Sequence, residues 1–475
     1  MDFLKKHSHK IILSALLAFS FFLIFFNLSK SDLGHFREEN HENALPQQKE
    51  WITLNNDFLA APMHYHFLNY HEYRYSTVAQ EVLETNEWRT LRVKNFEDTL
   101  PYYHKGPFYF LLTAITAKIF SFSKFIVRFW PALFGFGVIL VTYLLGRNIF
   151  NKKVGLLSAF ILTTTFQFIH VDGARAVSVD TIFIFFMMLA IYLLFKKKDK
   201  PKLFYLGAVS IGLAGLTRSV FMTIPLLFLF LSVDFSQYFS KKKMIRLFKK
   251  WFLGVIIILT IVLPWVALQY HYGGQEYIEN IKRFQIKEEF LGKLKLASPE
   301  MYDNFQYDLF LYERPGDYSF YTWTIYKGFF PWSILIVLAL IYSGKIFWKE
   351  KNRKLLTVLL IIFFIYLFVT IKQQNWVRYA INFYPYFAII VAKLLYDFYK
   401  NKGGKLLSWG ILVTFFVFLP VLVPYGLNFV WIYYLLLFSL LGGYIFLKNK
   451  KQFFASLIIL HFIIIALVNI TQPFI

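Results

Sequence analysis

The chain reads as an all-α polytopic membrane protein on three observations. It is 57% hydrophobic and 21% aromatic, with 58 Phe among 475 residues. Its apolar stretches run close to the twenty or so residues that carry a helix across a bilayer. Between them fall short Lys/Arg clusters at 147–153, 196–202, 241–250, 345–354, 400–405 and 448–451, with Lys5, Lys6 and Lys10 at the start. A soluble domain could not hide so much apolar surface, so lipid covers part of it. Basic residues resist translocation and collect in cytoplasmic loops, so the clusters fix which helix ends face the cytoplasm. The net charge of +23 is divided among these loops, where it suits an anionic leaflet rather than nucleic acid. The chain has no cysteine, which excludes disulfides, thiolate metal sites and a Cys nucleophile.

In chain order, residues 11–28 follow a basic start as a signal peptide does. They lack a small-residue cleavage site and read as a retained anchor. Further spans are expected at 127–146, 154–171, 179–195, 203–217, 220–235, 251–270, 327–344, 355–371, 379–396, 406–424, 429–447 and 452–470, about thirteen in all. A stretch at 108–121 is also apolar, but the charges argue against a crossing there. Both the N-terminus and 147–153 are basic and therefore inside, so an even number of crossings separates them; 11–28 and 127–146 already supply two. Residues 108–121 are therefore expected to form a short helix at the outer interface. The chain then divides into an anchor (1–28), a first extracytoplasmic loop (29–126), a block of spans (127–270), a second extracytoplasmic loop (271–326) and the C-terminal spans (327–475). Loops this long inside a compact membrane fold are usually functional.

The first loop carries most of the polar residues. HYHFLNYHEYRY supplies His64, His66, His71, Glu72, Arg74 and Tyr75, and a helix continuing from it would set Tyr75, Val78, Ala79 and Val82 on one face. Such a helix would lie on the membrane and hold Glu72 near the interface. Tyr102, Tyr103, His104 and Lys105 precede Gly106-Pro107, a dipeptide that ends one element and starts another. Charges also sit where hydrocarbon would penalise them: Asp180 with Arg175 before it, Arg218 in GLTRS, and Arg378 beside Tyr379. Such charges pair with one another or mark a cavity. Bland roles stand beside the functional ones. Arg74 can pair with Glu72, Asp180 can cap a helix dipole, Arg378 can anchor at the interface, and the Pro-Trp pairs at 264–265 and 331–332 suit a kink and an aromatic belt. Arg283 and Arg314 are candidate phosphate contacts in the second loop, where Tyr307, Tyr312, Tyr318 and Tyr321 would line or cover it.

HEYRYSTVAQEVLETNEWRTLRVKNFEDTLPYYHKGPFYFLL, then VRFWPALFGFGVILVTYLLGRNIFNKKVGLLSAFIL, resembles the opening of the bacterial lipid A aminoarabinose transferase family and, more distantly, the protein O-mannosyltransferases of the GT-C superfamily. GARAVSVD, GLAGLTRS, VLPW, FFPWS and VRYAINFYPYFAII extend the resemblance over roughly residues 65–395. It implies a GT-C membrane fold and transfer of a sugar from a polyprenyl-phosphate donor to an envelope acceptor on the outer face. The acceptor candidates are lipid A, another glycan, or protein Ser/Thr. By motif match Glu72, Asp180 or His71 would take the acceptor proton. Arg74, Tyr75, Tyr103, Lys105, Arg218, Arg378 and Tyr379 would hold the lipid phosphate. Two family carboxylates are replaced here, by His71 and His104; these imidazoles are candidate ligands for a divalent metal, and no other cofactor is implied. The partners implied are the lipid-linked donor, the acceptor and the bilayer. A lipid-linked sugar transporter or flippase and a catalytically inactive relative are the alternatives, and the gathering of charges at outer helix ends favours an enzyme.

Overall fold

The computed structural model describes residues 2–29, 67–94, 99–196, 202–218, 241–282, 320–371 and 377–400. The spans expected at 220–235, 406–424, 429–447 and 452–470 lie outside the described residues, as do His64, His66, Arg283, Tyr307, Tyr312, Arg314 and Tyr318. The helices in chain order are α1 (Asp2–Phe25), α2 (Phe67–Thr85), α3 (Phe108–Phe120), α4 (Lys124–Ile149), α5 (Lys152–Thr163), α6 (Phe166–His170), α7 (Val179–Lys196), α8 (Leu203–Gly215), α9 (Lys241–Asn280), α10 (Phe320–Gly328), α11 (Ile336–Glu350), α12 (Arg353–Ile371) and α13 (Tyr384–Tyr399). A two-stranded antiparallel ribbon, β1 (Arg92–Lys94) with β2 (Thr99–Pro101), follows α2. Among the described residues four helical stretches are long and apolar enough to cross a membrane: Lys124–Ile149, Val179–Lys196, Phe248–Asn280 and Arg353–Thr370.

At the centre, α4 packs against α5 and α7, and α13 closes over α5. Asn151 turns the chain between α4 and α5. Its side chain accepts from the amides of Lys153 and Val154, satisfying two donors that begin a helix without partners. Pro131 sits inside α4 and has no N–H, so the Val127 carbonyl one turn back loses its helical partner. The Tyr109 hydroxyl of α3 donates to that carbonyl at 2.8 Å. A sequence defect in one helix thus fixes where its neighbour docks.

The span expected at 154–171 is broken. Thr163, Thr164 and Thr165 send their hydroxyls back to the carbonyls of Ala159, Phe160 and Ile161. These bonds compete with the backbone ladder and favour a bend. The chain restarts as α6, with the Phe166 amide on the Phe330 carbonyl at 3.0 Å. Trp332, expected in an aromatic belt, is instead buried and donates to the Thr164 hydroxyl at 2.9 Å. Its indole N–H finds a partner at the break, which a belt position could not offer.

The amphipathic reading of α2 holds, since Tyr75, Val78, Ala79 and Val82 are all buried. Complete burial of a residue such as Val78 contributes about 1.5–3 kcal/mol relative to exposure. At thirteen residues α3 is shorter than a crossing needs. It buries Tyr109, Phe110 and Ala114 and leaves Ile115, Ile119 and Phe120 exposed. The 102–107 segment between β2 and α3 is pinned by Gly106, where a Cβ would collide with the Leu216 carbonyl carbon and oxygen. The Phe108 amide also donates to that carbonyl, at 3.1 Å. Gly106→Ala should therefore push two backbones apart and cost about 1–3 kcal/mol, the range for overpacking. A melting curve in detergent that matches the parent protein would contradict this contact.

Candidate active site

Three buried arginines organise the end of the bundle where α2, the 102–107 segment, the 171–178 turn, Arg218 and the 377–382 turn converge. The first is Arg128, at the start of α4. Its guanidinium donates to the Glu72 carboxylate at 3.2 Å from Nε and 2.6 Å from Nη2, and to the Leu28 carbonyl at 3.2 Å from Nη1. The amide of Val177 donates to the same carboxylate at 2.7 Å. Glu72 is therefore enclosed by donors, and with Arg128 it joins the segment after α1, α2, α4 and the 171–178 turn. Arg175 reinforces this joint through the Leu23 carbonyl, at 2.6 Å. Arg74, for which pairing with Glu72 was one expectation, instead lies over the Tyr102 ring, 5.3 Å from its centroid. Arg128, almost fully buried, is the partner that holds the Glu72 carboxylate.

The second arginine is Arg218, which follows α8 and forms an ion pair with Asp180 at the start of α7. Both side chains are almost fully buried. Asp180 is held in turn by Ser178, whose hydroxyl receives the Asp180 amide at 3.1 Å. The alternative of Asp180 as a charge on the helix dipole is compatible with this placement, but Arg218 is its specific partner. The third is Arg378, in the 3₁₀ segment Val377–Asn382. It is buried rather than anchored at an interface, and its Nη1 donates to the Tyr75 hydroxyl at 3.3 Å. The Tyr379 ring lies between the two cations, 4.6 Å from Arg218 and 5.6 Å from Arg378. An aromatic face beside two guanidiniums offsets part of their desolvation.

The Arg378 turn is placed from below. Gln167 on α6 is fully buried and donates to the Val377 carbonyl at 3.0 Å, and its side-chain oxygen accepts from the Tyr384 hydroxyl. Gly328 leaves room for this pair, since a Cβ there would strike both side chains.

His104 and Lys105 complete the group. The His104 ring packs beside Tyr102 at 5.5 Å. Burial first, then the positive charges of Arg74, Lys105 and Arg378, hold its pKa well below the ordinary imidazole value. His104 is thus neutral and surrounded by cations. Among the described residues no group of three or more His, Asp or Glu side chains is placed to hold a metal ion. The His71 side chain lies outside the described residues. Tyr103, expected in the phosphate set, packs its ring on Tyr277 at 5.2 Å, close against Gly273 of α9. Tyr321 is buried in the core beside Phe320.

Two residues were not singled out from the sequence. Arg128 carried the signal used for Arg378, a lone charge opening an apolar span, but it lay inside an aromatic run. Asp172 stood in a turn placed outside and looked like an ordinary loop acid. It adopts a left-handed backbone, φ 52°, and is half-buried. Burial, reinforced by Asp180 and Glu72 and opposed by Arg378, pushes its carboxyl up to about 7.

Residues 104–267 match the family model described as dolichyl-phosphate-mannose-protein mannosyltransferase. The fold is similar to that of ArnT from Cupriavidus metallidurans bound to undecaprenyl phosphate: TM-score 0.64 at 15% identity, covering 95% of this chain and 75% of that one. The same protein in the apo state gives a TM-score of 0.57 at 17% identity, covering 82% and 70%. The fold is an ArnT-like fold. The GT-C resemblance read from the sequence is borne out, and the chain is a multi-pass membrane protein. An uncharacterized protein of Aquifex aeolicus (strain VF5) is 28% identical over 337 residues, 70% of this chain and 59% of the relative. YkcB of Bacillus subtilis (strain 168), which bears a provisional mannosyltransferase name, is 32% identical over 142 residues, 29% of this chain and 20% of that one. The chain therefore spans about three fifths of the Aquifex relative and a fifth of YkcB.

The bundle depends on a buried ion pair that can be tested directly. Glu72→Gln leaves the Arg128 charge buried without its counter-ion and should cost about 3–5 kcal/mol of stability. Adding Arg128→Met should recover a large part of that loss, because the uncompensated charge is removed. Additive losses in the melting temperatures of the single and double variants would show that the two side chains act independently.

Proposed function

We propose that the protein transfers a sugar from a polyprenyl-phosphate donor to an envelope acceptor at the extracytoplasmic face of the membrane. The observation that carries this reading is that Arg74 lies over the Tyr102 ring, Tyr102 packs on His104 beside Lys105, and Arg378 reaches the hydroxyl of Tyr75, the neighbour of Arg74; all three positive charges act on the His104 imidazole. Three cations beside a ring that adds no charge make an anion site, and a glycolipid phosphodiester is an anion delivered at the membrane surface. Arg suits such a phosphate because its planar fork binds two oxygens, with Lys acting as a point charge. The similarity to a GT-C protein bound to undecaprenyl phosphate supports the same ligand class here.

In the reaction, the acceptor oxygen attacks the anomeric carbon as the bond from that carbon to the phosphate oxygen breaks. The departing polyprenyl phosphate gains negative charge, and pre-positioned cations stabilise it more in the transition state than in the bound donor. Arg378 is held for this by Gln167 and Tyr75, and Arg218 by Asp180 and the Tyr379 ring. Glu72, enclosed by Arg128 and the Val177 amide, serves as a brace for the site rather than as the base. With His104 among cations, no metal step is invoked. The sugar, whether hexose or pentose, and the acceptor are set by groups that approach the anomeric centre from the acceptor side.

The topology that goes with this reading has about thirteen crossings, the N-terminus inside, and residues 29–126 outside. Cys introduced at Thr99, an exposed position on β2, should react with an impermeant thiol reagent on intact cells. Cys at Asn151 should react only after permeabilisation, and the cysteine-free background makes the assay clean. The reverse pattern would place the cationic cluster in the cytoplasm and end this reading.

For the activity itself, the purified protein should move label from an undecaprenyl-phosphate sugar, drawn from a panel of hexoses and pentoses, into membrane acceptors. Arg378→Ala and Lys105→Ala should each lower turnover by about 10²–10³-fold, the usual effect of losing one donor to a developing oxyanion. Asp180→Asn should release Arg218 and lower turnover as well. Unchanged rates in all three variants would remove the site.

A further inference from the structure

The end of the bundle away from the candidate site carries a surface that sugar transfer does not use. Arg128 opens α4 in the site, and α4 ends at Ile149. About twenty residues of helix, rising about 1.5 Å each, put the last turn about 30 Å from that arginine, the thickness of a hydrocarbon core. Two basic turns far apart in sequence meet there. The Lys354 ammonium donates to the Asn148 side-chain oxygen at 2.7 Å, and the Asn352 side chain donates to the Ile149 carbonyl at 3.4 Å. These bonds fasten the 351–354 turn beside the 147–153 turn. The Tyr143 hydroxyl, one turn before Arg147, shares a 2.9 Å hydrogen bond with the His9 ring. That contact brings the exposed Lys10 of α1 to the same end.

Together the stretches 147–153 and 345–354 hold eight Lys and Arg residues against one acid, Glu350. Arg147, Lys152 and Lys153 are exposed on one side, and Lys349, Lys351 and Arg353 on the other. Like charges held on one face repel, and a bound anion relieves that repulsion. The adjoining face of α11 is apolar. Val337, Ile341 and Trp348 fall on it at helical spacing and are 55%, 67% and 75% exposed. Gly344 lies in the same stripe, between Ile341 and Trp348, and a Cβ there would meet no atom of the described residues within 4 Å. Glycine inside a helix weakens it relative to alanine, and no packing contact among the described residues requires this one. At the foot of the stripe the Lys351 ammonium sits over the Trp348 ring, 4.2 Å from its centroid. Paired cation and indole suit the level of the headgroups.

We propose that this surface binds an anionic phospholipid of the cytoplasmic leaflet, with its phosphate between the 147–153 and 349–353 turns and an acyl chain in the notch at Gly344. The charges and the stripe fit one occupant. A soluble phosphate would satisfy the cations and leave the apolar stripe unused. A second copy of the chain would bring its own cations against these. A lipid matches both features, with negative charge at headgroup depth and hydrocarbon beside Ile341. The proposal does not rest on sugar transfer. It rests on the 147–153 turn facing the cytoplasm, which the labelling at Asn151 tests separately.

The test titrates phosphatidylglycerol, with phosphatidylcholine as the uncharged control, into the delipidated full chain and counts bound lipid by native mass spectrometry. The parent protein should retain phosphatidylglycerol under activation that strips phosphatidylcholine. Lys152→Gln with Lys351→Asn should weaken binding about 25-fold, at about fivefold for each cation near the surface. Asn tolerates the left-handed backbone at Lys351, φ 50°, so the pair should fold. Lys448→Gln with Lys450→Gln makes the same change of net charge in another basic cluster and should keep the parent affinity. Gly344→Leu fills the notch without changing charge. It should abolish retention of the lipid and leave the melting temperature of the delipidated protein unchanged or higher. Phosphatidylglycerol held no better than phosphatidylcholine would overturn the site. Equal losses in the two lysine pairs would do the same, since diffuse attraction to a basic surface gives that result. Parent affinity in Gly344→Leu would contradict the acyl notch and with it the proposal. Quantitative disulfide formation between copies carrying Ile341→Cys, in nanodiscs of the same lipid, would assign the face to a second copy of the chain instead.

Discussion

The buried contact between Glu72 and Arg128 joins four parts of the chain that the sequence keeps far apart. One guanidinium reaches the carbonyl at the end of the first helix and the carboxylate of the amphipathic helix, and that carboxylate also accepts the Val177 amide. Taking two charges out of water is expensive, and the cost is recovered only when each lone pair and each proton finds a partner. Here the carboxylate is met by three donors, so the arrangement is narrow in geometry. With α2 fixed in this way, Tyr75 is placed to meet Arg378 and Arg74 to lie over Tyr102. The rest of the site inherits its positions from that joint.

A second constraint comes from the helices themselves. Pro131 frees a carbonyl that Tyr109 takes up, and the three threonines at 163–165 open a break that Trp332 fills. At the first a side chain takes up the backbone carbonyl that the helix leaves open, and at the second the Phe330 carbonyl takes the Phe166 amide, as is required where water is scarce. The break at 164–165 also creates α6, and α6 carries Gln167, which sets the Arg378 turn, and leads into Asp172. A departure from regular helix thus becomes the means by which polar groups are delivered to one end of the bundle.

Much of this was legible in residue pattern. The apolar runs and their basic punctuation gave the helical class, and the spacing of Tyr75, Val78, Ala79 and Val82 gave the buried face of α2. Asp180, Arg218 and Arg378 stood out because charge beside hydrocarbon is costly, and all three are buried in the site. What the pattern could not give was partnership. Glu72 stood out by its motif, but nothing in the motif showed that Arg128, fifty-six residues away, is its partner. Trp332 looked like a belt residue because tryptophan favours interfaces, yet a local helix break offered its N–H a better partner. Asp172 carried no sequence signal at all, since its character comes from burial and from three charges contributed by other segments.

The claim on which the function depends is that Arg74, Lys105 and Arg378 together receive a lipid phosphate. A cryo-electron microscopy structure of the protein in lipid nanodiscs with undecaprenyl phosphate tests it most directly. We expect phosphate density within hydrogen-bonding distance of the Arg378 guanidinium, flanked by Arg74 and Lys105, with the prenyl chain running into the bilayer. Phosphate density settled away from all three cations, with those side chains placed as they are now, would contradict it.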